Sequence, residues 1–319
     1  MSATTPVVPG KGQRHEGELT PDLPLLRQHR WPYVTINGRH DGPNVTIIGG
    51  IHGCEYVSIR AAVRLARELD PEEVYGQVLV VPIVNVQAFW ERTAFVNPFD
   101  GKNPNRVFPG LANGTFSEQL AYFTFETLIK GRDGFIDLHG GDIVEALIPF
   151  SIYSADAAPE VSQRSREMAE AFGLPYTIAR REEPGALAGM TQLAAARAGT
   201  PGLIAEAGGI GQLTQDDVQL LVDGSRRALQ VVGTLAGTPS SPGTRMLDHF
   251  NWLYSREGGF WISEVLPGDE VKPGQRLGQI LSLLGEPLEV VHADVGGVVI
   301  FRTTSAAVKP GGLLLGIGV

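Results

Sequence analysis

The chain has 319 residues, of which 43% are hydrophobic and 19% are charged, and its formal net charge is −9. This length suits two domains, or one large domain with a small one appended, and the composition supports a packed core rather than disorder. The net negative charge and the lack of a long Lys/Arg run argue against nucleic-acid binding. The sequence has no apolar signal-peptide core, no apolar run of about 18 residues, and a single cysteine, so a disulfide framework is excluded. We therefore expect a cytoplasmic protein with neither nucleic-acid nor membrane partners.

Residues 1–30 are polar and contain prolines, and they are expected to form an arm or an edge element. Between Trp31 and Leu235, β-branched segments that predict strands alternate with amphipathic segments that predict helices. The predicted strands lie in WPYVTING, PNVTIIGGIHG, QVLVVPIVNVQAF, GFIDLHGG and PGLIAEAGG. The predicted helices are Tyr56–Leu69, Phe116–Gly131, Pro159–Gly173, Gly189–Gly199 and Thr214–Leu235. The alternation predicts an α/β fold with helices on both faces of a mostly parallel or mixed sheet.

A change of composition near residue 240 predicts a domain boundary. Residues 236–244, AGTPSSPGT, have the Pro/Ser/Gly content of a linker. Beyond it, short strands alternate with turns, and PGDEVKPGQRLG and VKPGGLLLGIG form two copies of one turn–strand unit. This pattern resembles the small β barrel-sandwich of biotinyl and lipoyl carriers, but the expected hairpin lysine is missing. We predict a domain over 1–240, with an arm at 1–30, and a small all-β domain over 245–319 that narrows the mouth of the site.

The stretch TIIGGIHGCEYVS, Thr46–Ser58, places a histidine and a glutamate just after a predicted strand. His52 and Glu55 supply two of the three N/O ligands that catalytic zinc sites use. His139, which ends the predicted strand FIDL, is a suitable third ligand. Asp137, two residues earlier on the same side of that strand, could accept a hydrogen bond from the imidazole. The sequence therefore predicts a divalent-metal site, and zinc is the expected ion, although such ligand sets also accept other metals.

A carboxylate at the end of another apolar strand, Glu206 in LIAEAGG, is the candidate general base. A buried carboxylate is unfavourable unless it has a partner or a chemical role, and an apolar setting would raise its pKa towards the working range. We expect Glu206 to take a proton from a zinc-activated water and to pass it to a leaving amine.

The loop from residue 91 to residue 110 carries candidate residues for substrate charge, Arg92, Asn105 and Arg106. The planar guanidinium of arginine suits a carboxylate, and near a metal it can also stabilise an oxyanion. Further candidates for binding substrate charge are Arg180, Arg181 and Arg197, which the sequence does not distinguish.

Taken in chain order, the four motifs resemble those of the succinylglutamate desuccinylase/aspartoacylase family, which is related to the zinc carboxypeptidases. The motifs are His-Gly-x-Glu, then Arg with Asn-Arg, then Asp-x-His-Gly, then Glu-x-Gly-Gly, and the similarity spans roughly residues 45–211. Within the family, NPNRVFPG and the β tail are most similar to bacterial deacetylases acting on N-acetyl-2,4-diaminobutyrate.

The resemblance implies a zinc-dependent hydrolase that cleaves the amide of a small N-acyl amino acid. It implies that His52, Glu55 and His139 bind zinc and that Glu206 is the general base. It further implies that Arg92 polarises the scissile carbonyl, whereas Asn105 and Arg106 bind a substrate carboxylate. The alternatives are a metallocarboxypeptidase acting on peptide C-termini and a non-catalytic binding module. Homo-oligomerisation is left open.

Overall fold

The computed structural model describes residues 2–181 and 189–319, and within these ranges the chain forms a large mixed sheet, two small sheets and six α-helices. The strands are β1 (Ser2–Ala3), β2 (Gln13–Leu19), β3 (Trp31–Asn37), β4 (His40–Gly49), β5 (Tyr75–Val81), β6 (Gly134–His139), β7 (Glu145–Leu147), β8 (Phe150–Ser154), β9 (Tyr176–Arg180), β10 (Gly202–Glu206), β11 (Arg245–Leu247), β12 (Phe250–Tyr254), β13 (Gly259–Ser263), β14 (Glu270–Val271), β15 (Arg276–Leu281), β16 (Pro287–His292), β17 (Gly297–Thr303), β18 (Ala307–Val308) and β19 (Leu313–Gly318). The helices are α1 (Tyr56–Glu68), α2 (Val86–Glu91), α3 (Phe116–Thr124), α4 (Pro159–Phe172), α5 (Thr191–Arg197) and α6 (Gln215–Val232).

Two apolar cores show that helices cover both faces of the large sheet, as predicted. On one face, α1, α4 and α6 bury residues such as Leu65, Phe172 and Leu221 against the sheet. On the other face, α3 and α5 pack against sheet residues such as Ile48, and they do so together with the π-helical turn Phe125–Ile129. In α1, α4 and α6 the buried residues recur at spacings of three and four, and that spacing fixes which side of each helix faces the sheet.

The order of strands in the large sheet is β1-β2-β3-β5-β4-β6-β10-β8-β9-β11. Its centre, β5-β4-β6-β10, is parallel throughout, with Ile48 beside Asp137 and His139 beside Glu206. The carboxyl ends of these four strands therefore meet at one edge, where ligands of open α/β sheets bind. At the far edge, β2 pairs antiparallel with β3, so the N-terminal segment forms an edge element of the sheet.

Most of the C-terminal region (residues 245–319) forms two small sheets with a core of their own. One sheet contains β12, β19, β17 and β14, and the other contains β16, β15, β13 and β18. Two pairings join this region to the preceding part of the chain: β11 runs parallel to β9 in the large sheet, and β7, from residues 145–147, pairs antiparallel with β17 as a fifth strand of the first small sheet. The C-terminal region is thereby held beside the edge where the parallel strands end.

The longest helix, α6, covers the parallel centre of the sheet. Its last turn ends at Gly233, whose φ of 92° is a left-handed conformation that glycine adopts without strain. In the described part of the chain, no helix is long and apolar enough to cross a membrane.

Candidate active site

Three neighbouring parallel strands deliver the predicted site residues to one edge of the sheet. His52 follows the end of β4 by three residues, and Glu55 directly precedes α1. His139 is the last residue of β6, and it lies opposite Glu206, the last residue of β10. The register of the sheet therefore brings together four residues from three segments that are far apart in the sequence.

The side chains of His52, Glu55 and His139 form a compact and buried donor group. The Nδ1 atom of His52 lies 2.6 Å from Oε1 of Glu55, and the Nδ1 atom of His139 lies 2.9 Å from Oε2 of the same carboxylate. Ligand atoms on the three residues all lie within 4.8 Å of one another. Two imidazoles and one carboxylate at this separation are a suitable ligand set for a divalent metal.

The far side of each imidazole is held by an oxygen atom. Nε2 of His52 lies 3.0 Å from Oδ1 of Asn103, and Nε2 of His139 lies 3.0 Å from Oδ2 of Asp137. Thr191 donates its hydroxyl hydrogen to the same Asp137 oxygen. Because Nδ1 of both imidazoles faces the Glu55 carboxylate, the residues present fit a metal ion at that carboxylate.

Opposing effects set the charges in this group. Burial by itself would raise the pKa of Glu55, but His52 and His139 outweigh it and lower that pKa to about 2. Burial would lower the pKa of His139, whereas the negative charges of Asp137 and Glu55 raise it well above its ordinary value. The carboxylate is therefore ionised at neutral pH, as a metal ligand must be.

Glu206 lies in the wall of the same cavity and carries the electrostatic signature of a buried acid. Burial, with the charges of Glu55 and Glu145, raises the pKa of Glu206 well above its ordinary value, against the opposing effect of His139. A carboxyl group with a raised pKa beside the His/Glu/His donor group is suited to general acid–base chemistry.

The cavity has a volume of about 710 Å³ and opens between the large sheet and the C-terminal region. The C-terminal region supplies aromatic, aliphatic and small polar residues and one lysine to its wall. Those residues are Phe250, Trp252, Phe301, Thr303, Ser305, Ala307, Val308, Lys309, Gly312 and Leu313.

Polar residues for substrate binding line another part of the cavity wall. Asn105 is buried, and its Oδ1 accepts a hydrogen bond of 2.9 Å from the backbone of Thr191, which leaves its Nδ2 as a donor. Arg106 and Arg180 also line the cavity. Burial and the nearby Arg180 charge lower the pKa of Arg106, so an anion bound there would relieve the repulsion.

Arg92, a predicted site residue, is not among the residues that line the cavity. It is exposed at the C-terminal end of α2, with φ 52° and ψ 48°. Its positive charge acts on Cys54 and Tyr56, which flank Glu55. Among the other candidate arginines, Arg181 and Arg197 are exposed, so the structure separates Arg180 from them.

Two residues at the site were not identified from the sequence, Asn103 and Glu145. Asn103 had a detectable signal, because an Asn before Pro104 is typical of a residue that caps a helical turn, and its Oδ1 accepts from the backbone of Asn105 at 2.8 Å. Glu145 had none, since it reaches the cavity through the pairing of β7 with β17.

Comparison with known proteins places the site within a family. The catalytic-domain model of the succinylglutamate desuccinylase/aspartoacylase family matches residues 41–232, a range that includes all the predicted site residues. The N-alpha-acetyl-L-2,4-diaminobutyric acid deacetylase of Halomonas elongata is 31% identical over 287 residues, which is 87% of this chain and 82% of the relative.

Solved structures agree with that match over nearly the whole chain. The product-bound ectoine utilization protein EutE (DoeB) of Ruegeria pomeroyi is 25% identical with a TM-score of 0.87, covering 99% of this chain and 98% of the other. A succinylglutamate desuccinylase/aspartoacylase from Rhodobacter sphaeroides is 27% identical with a TM-score of 0.82, covering 96% of this chain and 95% of the other. Both structures extend over the large sheet and the C-terminal region.

Proposed function

This chain belongs to the succinylglutamate desuccinylase/aspartoacylase family, and we propose that it is a zinc-dependent amidohydrolase that deacylates a small N-acyl amino acid. N-α-acetyl-2,4-diaminobutyrate is the first candidate substrate, because the Halomonas elongata relative is named for its deacetylation. The observation that carries the proposal is that the His/Glu/His donor group adjoins a cavity whose wall also contains the carboxyl group of Glu206 and the guanidinium of Arg106.

The proposed metal ligands are His52, Glu55 and His139, each held in place by the contacts already described. When bound, a divalent zinc ion would polarise the acyl carbonyl and lower the pKa of a water molecule near it. Asn103 and Asp137 orient the two imidazoles, so the donor group is set before any substrate enters.

Glu206 is proposed to move the one proton that amide hydrolysis requires. The reaction breaks the C–N bond, and one proton must pass from the attacking water to the leaving nitrogen. Glu206 accepts that proton as a carboxylate and donates it as a carboxylic acid. The side chain lines the cavity beside His139, the neighbouring residue in the sheet register.

Asn105 and Arg106 are proposed to bind the α-carboxylate of the amino acid. The amide of Asn105 is fixed by Thr191, so its donor nitrogen has a defined direction, and the half-buried Arg106 supplies a positive charge. Charge-assisted hydrogen bonds of this kind position the amide of a substrate relative to the metal-ligand group.

The proposed activity can be tested by incubating zinc-loaded protein with N-acyl amino acids and dipeptides and measuring amine release by mass spectrometry. We expect release from N-acetyl-2,4-diaminobutyrate or a close relative. Cleavage of dipeptides alone would instead make the protein a carboxypeptidase. Binding without release from any compound would favour a non-catalytic binding module.

Two arginine substitutions test the assigned substrate contacts. Because Arg106 binds the carboxylate in the ground state, Arg106→Ala should raise KM by about 10- to 100-fold with a smaller change in kcat. If Arg92 stabilises the oxyanion, Arg92→Ala should lower kcat with little change in KM. Arg166→Ala on the outer surface of α4 is the control and should change neither. Wild-type kcat in Arg92→Ala would remove Arg92 from the mechanism.

A further inference from the structure

Glu145 occupies a rigid position in the cavity wall. It begins β7 and pairs with Thr303 of β17, and its backbone oxygen accepts a hydrogen bond of 2.9 Å from Ile210. A Cβ atom at Gly141 or Gly209 would lie within 2.5 Å of the same oxygen, so only glycine fits at either position. The backbone of Glu145 is thus enclosed on several sides, and its side chain lines the cavity.

The carboxylate of Glu145 has no cationic partner among the residues that the structure describes. No Arg, Lys or His nitrogen of those residues lies within 4 Å of it, and Arg106 acts on it only from a greater distance. Its other charged neighbours, Glu55 and Asp142, are acidic; with burial they raise the pKa of Glu145 to about 8. A carboxyl group in such a place is unfavourable unless a cation accompanies it.

The reaction proposed above gives Glu145 no role. The metal-ligand group needs His52, Glu55 and His139, proton transfer needs Glu206, and the substrate carboxylate needs a cationic contact. N-acyl amino acids derived from a diamino acid retain a cationic ammonium group, which an acidic side chain can bind. N-acylated aspartate, glutamate and neutral amino acids offer no group that would match an acidic side chain in the wall.

We propose that Glu145 binds the free ammonium group of the substrate and so selects N-acyl diamino acids over N-acyl dicarboxylic and neutral amino acids. This inference rests on the proposed function. The cavity then holds a substrate by two opposite charges, its carboxylate at Arg106 and its ammonium at Glu145. Specificity of this kind is strong, because an uncharged analogue leaves the half-buried acidic group of Glu145 without a cationic partner.

A matched pair of substrates tests the selection. The side chains of N-acetyl-2,4-diaminobutyrate and N-acetylnorvaline have the same shape, and only the former is charged. In the wild type we expect kcat/KM to favour the charged substrate by about 100-fold, and in Glu145→Gln we expect that ratio to fall below about 10-fold. Glu264→Gln, on the surface of the C-terminal region, should keep the wild-type ratio.

Equal losses on both substrates in Glu145→Gln would show a structural or chemical role for Glu145 and would overturn the proposal. A wild-type enzyme without preference between the two substrates would also overturn it. Because the ratio compares two substrates in one protein, a general loss of active enzyme cancels out.

Calorimetry separates this inference from the proposed function. Titration of zinc-loaded protein with 2,4-diaminobutyrate and with norvaline measures binding without catalysis. We expect the wild type to prefer diaminobutyrate by about 10- to 100-fold in Kd, and Glu145→Gln to lose that preference. Selective binding with no turnover of any N-acyl amino acid would reject the proposed reaction but keep the role of Glu145. Equal or undetectable binding of the two ligands by the wild type would reject that role.

Discussion

Replacing Glu206 with Gln is expected to lower kcat by at least about 10³-fold while the bound metal stays at wild-type stoichiometry. General acid–base catalysis by one side chain contributes about 10²- to 10⁴-fold, and here one carboxyl group serves both proton transfers. Gln keeps the shape and hydrogen-bonding capacity of the side chain but cannot accept a proton. Glu206 is not one of the three proposed ligands, so metal binding does not depend on it.

Steady-state kinetics with metal analysis of the same protein sample check this result. Glu264→Gln serves as the control, since Glu264 pairs with Arg276 at the protein surface and should retain wild-type kcat. Near-normal turnover by Glu206→Gln would exclude Glu206 as the base. Loss of metal together with activity would instead make Glu206 part of the metal site.

The pH dependence gives a second measurement of the same assignment. Burial raises the pKa of Glu206, so its carboxylate form is lost as the pH falls through a value above the ordinary glutamate range. The charge of a bound metal acts in the opposite direction. The decrease in kcat/KM at low pH therefore reports protonation of Glu206. The residual kcat/KM of Glu206→Gln should not show this decrease.

The proximity of His52, Glu55 and His139 could be predicted from the sequence because each of them follows a recognisable strand. Apolar β-branched runs before His52, His139 and Glu206 identify parallel strands, and parallel neighbours end at the same edge. Periodicity and glycine positions also sufficed for the helices on both faces of the sheet. For these elements the necessary information lies within a few residues of the chain. The prediction of one strand over QVLVVPIVNVQAF is wrong at its end, because β5 stops at Val81 and Asn85 caps the start of α2.

The remaining cavity residues depend on contacts between distant segments, which local patterns do not contain. Glu145 faces the cavity because β7 pairs with β17 from the C-terminal region. Arg180 differs from Arg181 only in the direction in which the end of β9 turns its side chain. The position of Arg92 depends on the left-handed end of α2, and its proposed role in stabilising the oxyanion stays a prediction.

Replacing His139 with Ala is expected to remove the metal. Two of the three proposed ligands would remain, and the Glu55 carboxylate would lose the imidazole that lies 2.9 Å from it. Replacing a residue that only hydrogen-bonds to a metal ligand commonly lowers metal affinity by about 10- to 100-fold. Replacing a ligand itself should therefore lower the affinity further. After dialysis against a weak chelator, elemental analysis should find close to one zinc per wild-type chain and little in the variant.

The thermal transition distinguishes a lost ligand from a misfolded protein. A metal that binds only the folded state raises Tm as its concentration increases, so zinc should raise the Tm of the wild type and leave that of His139→Ala almost unchanged. Circular dichroism of the variant should retain the wild-type content of helix and strand. His292→Ala, at an exposed position in the C-terminal region, should bind zinc as the wild type does. Stoichiometric zinc in a well-folded His139→Ala variant would place the metal elsewhere, and the roles of His52 and Glu55 would then have to be reassigned with it.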